Sequence, residues 1–102
     1  MTRAMIDGPQ GALATIRAGH CRPTPLVFLH ADPGRASQWH AVTTLVAPSH
    51  DTIAFDIRGA GSSEPARNRD YRIWARAGDL AAIVTAFDLS DFLIIVLICT
   101  QK

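Results

Sequence analysis

Short apolar runs alternate with amphipathic stretches along this chain. Residues 12–18 (ALATIRA) predict a modest strand. Leu26, Val27, Phe28 and Leu29 are continuously apolar and follow a loop at 19–25 that holds two prolines. That length and those flanks predict a strand buried on both faces. Residues 52–57 (TIAFDI) predict a further strand, and residues 92–98 (FLIIVLI) a last and intensely apolar one. Two helical patterns lie between them. Ser37 is placed to cap the first, in which Trp39, Val42, Leu45 and Val46 share a face and which Pro48 ends. Asp70 is placed to cap the second, over 71–87, where Ile73, Ala77, Leu80, Val84 and Phe87 recur at three- and four-residue spacing. Gly78 weakens that helix without ending it. Residues 1–10 read as a loose start, with turn chemistry at 7–11.

The predicted order is strand, strand, helix, strand, helix, strand. It argues for a single α/β domain with a mostly parallel sheet and helices packed on it. In such sheets ligands bind beyond the carboxyl ends of the strands. The loops that begin at His30, Arg58 and Cys99 are therefore the places to look for chemistry.

Composition narrows the field. The chain has 102 residues, 48% hydrophobic and 19% charged, which is too apolar for a disordered chain. A formal net charge of +1, spread along the sequence, disfavours a grip on nucleic acid or anionic lipid. The longest apolar run falls far short of the ~20 residues that span a bilayer, and the amino terminus carries no signal-peptide core. Cys21 and Cys99 form neither a disulfide framework nor a metal cluster, and they suit a reducing, cytoplasmic setting. His20, His40 and His50 do not share a face at metal-ligand spacing, so no metal site is expected. Trp39 and Trp74 read as core anchors.

Two segments carry a more specific signal. Residues 29–39 read LHADPGRASQW and residues 55–65 read FDIRGAGSSEP, each directly after a predicted strand. With the helix at 71–87, Asp79-Leu80 in its middle, and the apolar strand behind it, they resemble the α/β-hydrolase fold superfamily, in its esterase, haloperoxidase, dehalogenase and epoxide-hydrolase branch. The resemblance runs from about residue 11 to about residue 96. It implies an oxyanion-hole loop over His30, Ala31, Asp32, Pro33 and Gly34, with a backbone N–H at Asp32 aimed at the developing charge. Ala31 stands where the family has Gly. It implies a structural loop over Asp56, Arg58, Gly59, Gly61 and Ser63. Ser62 and Ser63 lack the strand–turn–helix setting of a nucleophile elbow, and Gly-Ala-Gly lacks the third glycine and the helix of a dinucleotide site.

The resemblance breaks near the end. The family's Gly-x-Ser-x-Gly would fall on residues 96–100 (VLICT), with Ile98 at the nucleophile position. The later strands, the cap, the acid and the catalytic His have no counterpart. The expectation is an amino-terminal hydrolase fragment that lacks catalytic residues, needs no cofactor and is silent alone. Small-molecule, ester-like substrates would belong to its full-length relatives. A frameshift or early stop would explain the terminal ICTQK. Alternatively the chain is an interaction module or dimer that pairs through residues 92–98, an uncharged strand without Pro.

Overall fold

Val27 and Phe28 are adjacent in sequence, and both are buried, on opposite faces of a sheet. The computed structural model describes residues 1–19, 24–31 and 34–96. In it the chain runs β1 (Thr2–Gly8), β2 (Gly11–Ala18), β3 (Leu26–Leu29), a 3-10 turn (Ala36–Trp39), α1 (His40–Val46), β4 (Thr52–Phe55), α2 (Ile73–Ala86) and β5 (Leu93–Val96). The five strands form one sheet in the order β1-β2-β4-β3-β5. β3 pairs in parallel with both β4 and β5, while β2 pairs antiparallel with β1 and β4. The sheet is thus mixed, and the α/β class read from the sequence holds.

Each face of the sheet carries its own core. On one, Leu13, Val27, Ile53, Phe55 and Ile57 meet Ile83 of α2, with Leu80 and Phe87 packed alongside. On the other, Phe28 and Ala54 meet Ala36, Trp39 and Val46 from the 3-10 turn and α1. The Phe28 and Trp39 rings lie 5.0 Å apart at 52°. Alternation along β3 divides Val27 and Phe28 between the two cores.

Several expectations are corrected. The loose start is a strand: Thr2–Gly8 pairs with β2 along its whole length, from Thr2 opposite Arg17 to Gly8 opposite Gly11. Its side chains are mostly exposed, so backbone pairing holds it and no hydrophobic alternation marks it in the sequence. Ser37 caps nothing, because the helix begins with a 3-10 turn whose first N–H, that of Ala36, is taken by the Asp56 carboxylate at 2.6 Å. Val42 and Leu45 point to solvent, since only the Trp39 and Val46 side of α1 reaches the sheet.

In α2 the N-cap is Arg72, without a side-chain cap bond. Asp70 instead accepts the Arg72 N–H at 3.1 Å. Ile73 is 77% and Trp74 65% exposed, so Trp74 is no core anchor. The first turn of α2 overhangs the sheet, and there the Arg72 guanidinium lies 5.1 Å over the Trp74 ring. His40 is exposed, and His50 hydrogen-bonds the Ser49 hydroxyl. His20, Cys21, Asp32, Pro33, Ile98 and Cys99 lie outside the described residues. Among the described residues no helix is long and apolar enough to cross a membrane.

Candidate functional site

The parallel strands β3 and β4 end side by side, Leu29 opposite Phe55. Their next residues, His30 on one side and Asp56 and Ile57 on the other, therefore emerge together. His30 is buried and its ring bonds backbone on both sides. Nδ1–H donates to the Ala31 carbonyl at 2.7 Å, and Nε2 accepts the Ile57 N–H at 3.0 Å. A nitrogen that accepts from an N–H carries no proton, so these partners require the neutral ring with hydrogen on Nδ1.

Asp56 supplies the second link between the two strand ends. Its Oδ1 accepts the Ala36 N–H at 2.6 Å and its Oδ2 accepts the Ser62 N–H at 2.9 Å. A buried carboxylate that takes two backbone donors fixes both segments at once. Gly61 makes room for it. At φ +52° it is in the left-handed region, and a Cβ there would collide with the Asp56 carboxylate. Gly34 precedes the 3-10 turn, where a Cβ would fall 2.5 Å from the Ala31 carbonyl.

Ser63 is fully engaged: its hydroxyl donates to the Asp56 carbonyl at 2.6 Å and accepts the Ala14 N–H at 2.8 Å. Gly59 N–H donates to the Glu64 carbonyl at 2.9 Å. Glu64 in turn stitches the loop to β2, because its Oε1 accepts the Ala12 N–H at 2.7 Å. A hydroxyl saturated in this way is a joint in the loop.

Arg58 lies beneath the loop. Nε and Nη2 reach the two Asp79 carboxylate oxygens at 2.7 Å each, Nη1 the Asp70 carbonyl at 2.8 Å, and Nη2 also the Ala75 carbonyl at 3.0 Å. The Asp79 hydrogen bonds raise the guanidinium above its ordinary value against the opposing effect of burial. The resemblance placed Arg58 in a structural loop but did not point to Asp79 as its partner. An acid on the buried side of an otherwise apolar helix stripe was the available signal. Tyr71, whose hydroxyl oxygen accepts the Ala66 N–H at 3.0 Å, had none.

A cleft of about 350 Å³ opens beside His30 at the carboxyl ends of the strands. Leu29, Phe55, Ile57, Ile73, Leu80 and Val96 give it apolar walls, and Arg76 lines it too. Of the residues expected to form an oxyanion-hole loop, His30 and Ala31 line this cleft, and Gly34 lies close to the Ala31 carbonyl. Of the expected nucleophile pentapeptide only Val96 is described, at the end of β5. Among the described residues no group of three or more His, Cys, Asp or Glu could hold a metal ion.

Known proteins share this fold. A haloalkane dehalogenase of Mesorhizobium japonicum is 32% identical over 93 residues, which is 91% of this chain and 29% of that enzyme. The fold superposes on a haloalkane dehalogenase of Bradyrhizobium elkani with a TM-score of 0.83 at 24% identity, covering 93% of this chain and 32% of that one. For an epoxide hydrolase of Acinetobacter nosocomialis the TM-score is 0.86 at 23% identity, with coverage of 93% and 29%. The chain thus spans about a third of the length of these relatives. The family model for the alpha/beta hydrolase fold matches residues 24–96, from just before β3 to the last residue of β5. The joined ends of β3 and β4 and the helix clamped behind them lie inside that match, and the chain belongs to the alpha/beta hydrolase fold family.

Proposed function

We propose that this chain forms the oxyanion side of a hydrolase site for small, ester-like substrates and is catalytically silent alone. A backbone N–H from the loop that opens at His30 would stabilise charge developing on the substrate oxygen. The observation that carries this reading is the double link of His30 to Ile57 and Asp56 to Ala36, set beside an apolar cleft. Preorganised donors are effective only when their surroundings cannot relax, and these two links anchor His30 and Ala36 on the two sides of the expected donor. No residue of the chain is assigned as nucleophile, acid or base, and a Ser-His-Asp mechanism needs all three. Haloalkanes are the second substrate class, favoured by the 32% identical dehalogenase. The two cysteines, without a disulfide framework, support a cytoplasmic location.

Two measurements test the reading. The purified chain should give background rates with a p-nitrophenyl ester and no adduct with a fluorophosphonate probe; turnover that survives removal of contaminants overturns its silence. A chimera that joins residues 1–96 to the remaining length of the Mesorhizobium dehalogenase should turn over an ester or a haloalkane. A folded but inactive chimera overturns the assigned role.

A second reading is favoured by β5. Leu93, Ile94 and Val96 are 57%, 44% and 53% exposed on a strand that pairs only with β3 among the described residues. An apolar edge of this kind invites strand addition, with a second copy as the available partner.

A further inference from the structure

We propose that His30 is a protonation-dependent latch between the ends of β3 and β4, closed when the ring is neutral and released by acid while the rest of the fold stays intact. The argument rests on the two ring nitrogens. Nδ1–H is committed to the Ala31 carbonyl at 2.7 Å, and the lone pair on Nε2 takes the Ile57 N–H at 3.0 Å. Adding a proton puts an N–H on Nε2 that faces the Ile57 N–H, so the bond is replaced by two opposed donors in a buried site. The ring cannot turn to escape, because flipping it would set Nδ1–H or a carbon against Ile57 and leave the Ala31 carbonyl without its donor.

Among the described residues, the charged neighbours do not relieve that conflict. In the segment after β4, the Asp56 carboxylate is taken by the Ala36 and Ser62 N–H groups, and Arg58 is held by Asp79. From α2, Asp79 is bound in that pair, and Arg76 lines the same cleft as His30 and adds positive charge. β2, β5 and the 3-10 turn present no carboxylate toward this end of the sheet: the described residues of β5, Leu93–Val96, hold no ionisable group, and neither does Ala36–Trp39. Among the described residues, the ring hydrogen-bonds to Ala31 and Ile57.

The latch is one of two joints at this place. Asp56 to Ala36 is the other, and it is made by a carboxylate that shares no atom with the imidazole joint. Protonating the ring therefore opens the His30 side and leaves the Asp56 bond to Ala36 in place. The strands themselves are held by backbone ladders that carry no titratable group.

The test is NMR on the full 102-residue chain between about pH 8 and about pH 5, the span in which imidazoles change charge. At the upper end, ¹⁵N shifts should give the neutral ring with hydrogen on Nδ1. As the ring protonates, amide exchange at Ile57 should accelerate about tenfold beyond the intrinsic pH effect, the scale of one hydrogen bond, while Val27 at the centre of β3 keeps its protection. His30→Gln places an uncharged acceptor near the Nε2 position and should remove the pH step at Ile57. A neutral ring with hydrogen on Nε2 overturns the proposal. So does a ring that stays neutral down to about pH 5, Ile57 protection that is unchanged as the ring protonates, or protection that falls only together with that of Val27. The measurement on the unsubstituted chain decides the matter even if His30→Gln does not fold.

Discussion

The Arg58 guanidinium holds both carboxylate oxygens of Asp79, Nε to Oδ2 and Nη2 to Oδ1, at 2.7 Å each, with the two side chains only 4% and 3% exposed. This pair ties the loop after β4 to the middle of α2. The remaining Arg58 donors go to the Asp70 and Ala75 carbonyls, so one side chain sets where α2 starts as well as how it lies.

Removing one member leaves the other charged and buried without its partner. Asp79→Ala and Arg58→Ala should each destabilise the fold by about 3–5 kcal/mol, whereas the apolar pair Arg58→Met with Asp79→Leu should recover much of that loss. Urea melts of the two single variants and the double variant check this. Single variants that cost no more than a surface substitution would show that the pair does not bear on stability.

Gly61 and Gly78 should respond to alanine in opposite directions. Gly61 combines φ +52° with a Cβ position inside the Asp56 carboxylate, so Gly61→Ala loses ~1–2 kcal/mol from the backbone alone and disturbs the Asp56 bonds to Ala36 and Ser62. Gly78 is inside α2, where a Cβ would sit 3.8 Å from Pro9 Cγ in ordinary contact. Gly78→Ala should therefore stabilise by about 0.5–1 kcal/mol. Thermal melts of both variants give the signs directly.

The same residues show what could be read from the chain without coordinates. β3 was legible because four apolar residues between loops fit a strand covered on both faces, which Val27 and Phe28 are. α2 was legible from Leu80, Val84 and Phe87, but Ile73 carried the same periodicity and ended in solvent beyond the sheet. Periodicity shows which side of a helix is apolar; it does not show how far the sheet beneath it extends. β1 was missed because its hold is backbone pairing to β2, to which its mostly exposed side chains contribute little. At the site, the segments after β3 and β4 were legible as places of interest by resemblance to a family. That His30 would bond Ile57 and Asp56 would bond Ala36 was not, since both contacts depend on the register of two parallel strands.

Ser63 should behave as a structural residue with no nucleophilic role. Ser63→Ala deletes a donor to the buried Asp56 carbonyl and leaves the partly buried Ala14 N–H without its acceptor, a loss of about 1–3 kcal/mol. Ser62→Ala keeps the backbone bond to Asp56 and should stay within about 0.5 kcal/mol of the parent. Chemical denaturation of the two variants, side by side, separates them.

Asp70 gives a pH dependence with a defined sign. Its side-chain and then backbone hydrogen bonds from Arg72 lower the carboxyl from 3.8 to about 2. A group held lower in the folded state contributes stability in full above its ordinary value, and that contribution fades as pH falls from there through about 2. Asp70→Asn should therefore be less stable than the parent at neutral pH, with the gap closing in strong acid. Arg72 is exposed, so about 0.5 M salt should also narrow the gap by screening. A gap that is the same at neutral and strongly acidic pH contradicts the assignment.

The edge strand bears on solubility. β5 is bonded to β3 on one side only among the described residues, and register places Ile94 beside Val27 and Ile95 beside Phe28, so its two faces continue the two cores outward. Leu93, Ile94 and Val96 extend both cores into solvent without a charge or a proline to discourage a second strand. The parent chain should therefore self-associate at micromolar concentration, and Ile94→Lys should shift it toward monomer, because a charged side chain at the middle of the strand opposes pairing with an identical edge. Ala81→Lys adds the same charge at an exposed position on α2 and should leave association unchanged. Sedimentation velocity on the three proteins distinguishes an effect at β5 from one of net charge, and a parent chain that is monomeric and melts cooperatively at that concentration would remove β5 as a contact surface.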